Sequence, residues 1–187
     1  MSMPKELLPV RRTPDLLLGR RSLPGTRYFV TACTEGRRPV LRDETIRETI
    51  FAVWQALEAS GDWTLGAATV MPDHVHLLFT LGDRLSFDRT MAKWKGQVSR
   101  GVGHRIWQRN VFEHRLREDE DGEAYAWYVF MNPYRAGLAA PAEVWPGWRP
   151  MSSSRWVFLA AVRPGPCPQP EWLGYWDKVT GGLVLGK

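Results

Sequence analysis

Hydrophobic positions along the chain follow two rhythms, one of period two and one of period 3.6, and the order in which they succeed each other predicts the fold. The run RYFVTACT from Arg27 is rich in aromatic and β-branched residues and is ended by Glu35-Gly36, which signals a first strand. Asp43 then precedes Thr45, Ile46, Ile50, Val53, Trp54 and Leu57, an N-cap followed by an apolar stripe of helical period that stops near Ser60-Gly61. WTLGAATV and HVHLLFT are β-rich runs separated by Met71-Pro72-Asp73, and a proline and aspartate suit a tight connection, so the two predict a hairpin. Residues 86 to 104 open with Ser86 and Asp88 and run through Met91, Trp94, Lys95 and Val98, a second helix whose other face carries Lys93 and Arg100. VFEHRLR at 111 to 117 predicts a fourth strand, and the acidic turn Glu118 to Glu123 starts a third helix with Tyr125, Tyr128 and Met131.

The resulting order, βαββαβ followed by α, is the split βαβ arrangement: an α+β, ferredoxin-like fold with an antiparallel four-stranded sheet, two helices on one face and the other face open. The third strand lies centrally in it. Its side chains alternate, so Val75, Leu77 and Phe79 share one face while His74, His76 and Leu78 share the other. The Val/Leu/Phe face is the one to bury under the crossover helices. Both imidazoles are then expected on the open face, roughly 6 to 7 Å apart along the strand, where they can converge on one metal. Taken alone, the pair suits a metal site and hydrogen-bonded core histidines equally well. The context MPDHVHLLF favours the metal, because two polar rings in an apolar strand need a partner.

Three segments flank this core or complete it. Residues 1–25 carry Pro4, Pro9, Pro14 and Pro24 with Arg11, Arg12, Arg20 and Arg21, a basic N-terminal arm. Residues 26–138 hold the predicted domain. Residues 139–187 form a C-terminal extension with seven prolines and half of the ten tryptophans, expected as an irregular tail packed over the core.

Composition adds a partner. The formal charge of +5 arises from 25 Lys and Arg against 20 Asp and Glu, and 20 of the cations are arginine, whose planar fork grips phosphate and stacks on bases. A GC-rich source would enrich arginine without any binding role, so charge is weak support by itself. Two distant cysteines, Cys33 and Cys167, make neither a disulfide framework nor a CxxC site, which points to a reducing cytoplasm. No run approaches the roughly 20 apolar residues of a membrane span, and no apolar segment follows the first charges, so no membrane association is expected.

MPDHVHLLF, the stretch WQRNVFEHRLREDED and the segment YVFMNPYRAGL together resemble the single-tyrosine HUH transposases, and within them the REP-associated tyrosine transposases of bacteria, over roughly residues 27 to 138 in matching order. The resemblance implies a ferredoxin-like fold, His74 and His76 as ligands of Mg²⁺ or Mn²⁺, Asn132 as third ligand and Tyr128 as the nucleophile. It implies nicking and rejoining of single-stranded or hairpin DNA through a 5′-phosphotyrosine, by a monomer or a homodimer. Tyr125 and Tyr134 lie close by, so the choice of Tyr128 rests on the Y-x-x-x-N-P match. Pro133 biases Asn132 away from helical geometry, and Asn132 can instead end the helix as a cap. His114 is expected either to support a metal ligand from behind or to be a satisfied core histidine, and His104 to face solvent.

The open sheet face suits single strands, with Arg11, Arg12, Arg20, Arg21, Lys93, Lys95 and Arg100 as candidate DNA contacts. Two other classes compete. One is a non-catalytic single-stranded nucleic-acid binding module on the same fold, against which the first and third strands lack the stacked aromatics of such modules. The other is a zinc hydrolase of small substrates, against which no carboxylate is expected near the pair.

Overall fold

The computed structural model describes residues 22–140, 143–150 and Trp156. The arm residues Arg11, Arg12, Arg20 and Arg21, and nearly all of the extension beyond Pro150, lie outside the described residues. The chain runs β1 (Arg27–Cys33), two short 3₁₀ turns, α1 (Glu44–Ala59), β2 (Trp63–Val70), β3 (His74–Leu81), α2 (Phe87–Val102), β4 (Phe112–Arg115), α3 (Gly122–Arg135) and β5 (Trp148–Pro150). The sheet order is β4-β1-β3-β2-β5 with antiparallel neighbours, so β3 is central and the ferredoxin-like order of the first four strands is present.

Local sequence explains the element ends. The Asp43 carboxylate accepts from the N–H groups of Thr45 and Ile46 at 2.8 and 3.2 Å, and Ser86 accepts from Arg89 N–H, so each crossover helix starts on a side-chain cap. α2 stops at Gly103, whose φ of 86° lies in the left-handed region. α3 begins at Gly122, within the acidic turn 118–123, where Asp121 caps Glu123 N–H. The 71–74 turn is closed by Met71 N–H to His74 O, and it is tied to the rest of the chain by Thr34 N–H to Asp73 O and Leu41 N–H to Pro72 O.

One face of the sheet carries Val75, Leu77 and Phe79, packed with Ile50, Trp54 and Leu57 of α1 and Met91, Trp94 and Val98 of α2. Trp54, Trp63, Trp94 and Trp107 are fully buried there and supply much of its apolar area. The alternation read from the sequence is therefore present. The opposite face differs from expectation: it is not open. Phe29, Ala67 and Leu78 form an apolar stripe on it, and α3 covers that stripe with Tyr125, Ala126, Val129 and Phe130. An exposed patch of that kind would leave apolar area in water, and the third helix is what removes it. The sheet also has five strands rather than four. β5, in the extension read as irregular, pairs Trp148, Arg149 and Pro150 with Thr69, Ala68 and Ala67 of β2. It gives the β2 edge a partner, and Pro150 at a strand end on the sheet's rim costs no ladder bond.

Two of the cations expected at DNA have structural partners. Lys93 donates to Asp62, which is 2% exposed and which Ser60 also bonds; burial raises the Asp62 pKa, but those two partners outweigh it and the net shift is downward. Lys95 donates to the carbonyls of Gln108, Arg109 and Asn110. Arg100 is exposed. Lys93→Met should strand the buried carboxylate and destabilise the fold by about 1–3 kcal/mol. Chemical denaturation checks this, and an unchanged midpoint would mean that the Asp62 pair contributes nothing.

Candidate metal and nucleophile site

The site forms where β3 meets β1 beneath α3. Antiparallel register sets Thr31 of β1 opposite His76 and Cys33 opposite His74, so Thr31 and Cys33 share the histidine face. The two rings stand edge to face with centroids 4.7 Å apart, and their Nε2 atoms are 3.1 Å from each other. Each Nδ1 is held from behind: His74 Nδ1 lies 2.6 Å from Asp73 Oδ1 and His76 Nδ1 lies 2.9 Å from Thr31 Oγ1. Asp73 is fixed in turn by Arg37 Nε at 3.0 Å.

These partners decide what the Nε2 atoms can do. A carboxylate only accepts, so His74 carries its proton on Nδ1 and presents a lone pair at Nε2. The Thr31 hydroxyl can donate or accept, which lets His76 take either tautomer. With Thr31 donating, His76 Nε2–H bonds the His74 lone pair. With Thr31 accepting, both Nε2 lone pairs converge on one point, the donor arrangement that a cation requires.

Among the described residues no cluster of three His, Cys, Asp or Glu is placed to hold a metal, so a third donor from among them has to be of another kind. The Asn132 side chain adjoins His76 and acts to raise its pKa, and its amide nitrogen donates to Tyr128 O at 2.9 Å. The residues present thus fit an ion held by two imidazoles and an amide. Contrary to the cap alternative, α3 runs through Pro133 to Arg135, and Asn132 lies inside it.

His76 is 5% exposed, stacked on Phe29 at 5.6 Å and met edge-on by the Tyr128 ring at 5.5 Å. Tyr128, half-buried, also packs edge-on against Phe29, and the Arg135 guanidinium carbon lies 6.0 Å from its ring centre. Tyr128, Asn132 and Arg135 are spaced i, i+4, i+7, one face of the helix. The other tyrosines of α3 are engaged elsewhere. Tyr125 donates its hydroxyl to Glu120 at 3.0 Å and stacks on His114, and burial together with that carboxylate pushes its pKa up to about 12. Tyr134 donates to Glu143 O. His114 is partnered by Glu120 at 2.7 Å, in keeping with a satisfied histidine, and His104 is exposed.

Sequence reasoning missed Thr31, Asp73 and Arg135. Each had a signal: Thr31 shares parity with the histidine face once β1 is set beside β3, Asp73 directly precedes His74, and Arg135 is two helical turns from Tyr128. The expectation that no carboxylate adjoins the pair is also corrected. Asp73 does adjoin it, but on the Nδ1 side, where it orients the ring.

Comparison with known proteins bears on the family and the fold. Residues 23–115, which include both histidines and end before α3, match the family model described as Transposase IS200 like. Residues 23–115 are therefore an IS200-like transposase domain, the mark of a class of DNA-processing enzymes. Within that class the chain is 27% identical to the REP-associated tyrosine transposase of Escherichia coli K12 over 136 residues, 68% of this chain and 78% of that protein. It is 28% identical over 138 residues to a Haemophilus influenzae protein provisionally given the same name, across 65% of this chain and 78% of that one. A solved REP-associated tyrosine transposase bound to a REP hairpin superposes with a TM-score of 0.57 at 25% identity, covering 69% of this chain and 79% of its own. No helix among the described residues is long and apolar enough to cross a membrane.

Burial holds His76 well below the ordinary histidine pKa, with His74 adding to the effect, and burial lowers His74 as well. Unfolded histidines titrate near 6.5, so below that pH the unfolded chain binds protons that the folded site refuses. In metal-free buffer, stability should fall as pH drops from about 7.5 to about 5.5, and His76→Gln should lose less than the parent over the same interval. Denaturant titrations at both pH values measure this, and equal losses would contradict it.

Proposed function

We propose that the chain is a DNA strand transferase that nicks and rejoins single-stranded or hairpin DNA, with Tyr128 as nucleophile and His74, His76 and Asn132 as the ligands of Mg²⁺ or Mn²⁺. One observation carries the reading: the two Nε2 atoms converge at 3.1 Å beside the Tyr128 ring, while the hydroxyls of Tyr125 and Tyr134 are bound elsewhere. The IS200-like transposase domain and the REP hairpin held by the similar solved protein support DNA as the substrate.

A divalent cation bound by these neutral ligands would keep nearly its full charge, polarising a phosphate oxygen and offsetting the negative charge of the transition state. The remaining work falls to the chain. Asp73 and Thr31 hold the rings in orientation, and the His76–Tyr128 ring contact sets the nucleophile against the ligand pair. Arg135 supplies a cation beside the Tyr128 ring, suited to a phosphate. Tyr128 Oη forms a bond to phosphorus as the bond from phosphorus to the 3′ oxygen breaks. The phenol gives up its proton, the departing 3′ oxygen takes one up, and the products are a 5′-phosphotyrosine and a 3′-hydroxyl. One phosphoester replaces another, so a strand end can reverse the step without a nucleotide cofactor.

The test uses a hairpin oligonucleotide from DNA flanking the gene, labelled at its 3′ end and incubated with the full chain and Mn²⁺. The parent and Tyr125→Phe should give a labelled protein band on a denaturing gel, and Tyr128→Phe and a chelated reaction should give none. An equal band from Tyr128→Phe would refute the nucleophile. DNA binding that survives His76→Ala, with no adduct from the parent, would instead identify a non-catalytic binding module.

A further inference from the structure

A cationic groove of about 360 Å³ lies between α2 and the segment 105–109, lined by Lys95, Gly96, Ser99, Arg105, Trp107 and Arg109 among others. Its lining holds three cations and no carboxylate, and among the described residues none of the three cations forms an ion pair with Asp or Glu. Like charges so placed repel. Burial, reinforced by Arg105, pulls the Lys95 pKa down to about 8. An anion in the groove would relieve that repulsion.

The wall that carries the arginines is fixed. Glu35 N–H donates to Ile106 O at 2.8 Å, Gln108 N–H donates to Cys33 O at 2.9 Å, and Thr34 and Trp107 form a β-bridge. Trp107 packs on Trp94 with centroids 4.8 Å apart. Lys95 spends its ammonium on the carbonyls of Gln108, Arg109 and Asn110, so it holds the segment and contributes charge, leaving direct contact to Arg105, Arg109 and the Ser99 hydroxyl. On the facing wall Gly96 leaves the groove open: a Cβ there would meet only Arg100 Nη1, at 3.8 Å. Two guanidiniums and a hydroxyl on a rigid frame suit the oxygens of a phosphate. Cys33, which anchors the segment, is the register partner of His74, so the groove sits at the same end of the sheet as the histidine pair.

We propose that this groove binds phosphates of a nucleic-acid backbone and anchors the strand whose adjoining stretch enters the histidine site. The proposal rests on DNA being the substrate, as argued above, but not on Tyr128 chemistry.

The test measures anisotropy of a fluorescent hairpin oligonucleotide with a single-stranded tail against the full chain over a series of salt concentrations, in a Tyr128→Phe background. Replacing Arg105 and Arg109 together by Gln should weaken binding about tenfold and reduce the slope of log affinity against log salt by about 1 to 2, as expected for losing one or two phosphate contacts. Arg89→Gln, an exposed α2 cation away from the groove, should change affinity less than about twofold. Unchanged affinity and slope in the double variant would overturn the proposal, as would an equal loss in Arg89→Gln, which would mean diffuse charge only. Thymidine monophosphate and inorganic phosphate form a second arm. If either displaced the oligonucleotide at equal concentration, the ligand would be a free phosphate compound and the backbone proposal would fail. The two readings fail separately: groove-dependent binding without an adduct from the parent refutes only the catalysis, and an adduct that the double variant forms with unchanged affinity refutes only the groove.

Discussion

Burying the His76 imidazole on a central strand sets the conditions that its neighbours meet. At 5% exposure the ring has lost water, and each of its nitrogens needs a partner that water would have supplied. Thr31 takes one side and His74 the other. That constraint reaches outward: His74 is oriented by Asp73, Asp73 by Arg37, and the turn that carries Asp73 is tied to Thr34 and Leu41. The two convergent nitrogens are the inner end of a network that begins at the surface.

The same burial explains the place of α3. Phe29, Ala67 and Leu78 make the histidine face too apolar to stay in water, and the helix that covers them also brings Tyr128 against His76, with Arg135 beside the Tyr128 ring. Packing and site construction are therefore one act. Pro133 removes one helical N–H, yet α3 continues through it, because the stripe from Ala126 to Met131 holds the helix on the sheet. The Asn132 amide turns back to Tyr128 O, which links the candidate ligand to the candidate nucleophile's own backbone.

Much of this was legible in the chain. Period-two alternation in HVHLLFT separated the two faces of β3 correctly, and Asp43 and Ser86 marked the starts of the crossover helices, because caps and alternation are local properties. What was not legible depends on contacts distant in sequence. β5 is three residues long beside prolines, too short to display a period, and exists because β2 has a free edge to pair. The cover of the histidine face follows from Phe29 and Ala67 joining Leu78 across three strands, a sum no single segment displays. Lys93 and Lys95 read as free cations on a helix face, whereas a buried Asp62 and a row of loop carbonyls engage them.

In the proposed function the Asp73- and Thr31-oriented imidazoles form a metal site before any DNA arrives. Mn²⁺ titration of the DNA-free chain, read by pulsed electron paramagnetic resonance for nitrogen couplings, tests it directly. One bound ion with couplings from two imidazoles is expected, lost in His76→Ala, with an affinity lower by about 10–100-fold in Asp73→Asn or Thr31→Val. Mn²⁺ bound without imidazole couplings, or bound equally well by His76→Ala, would contradict it.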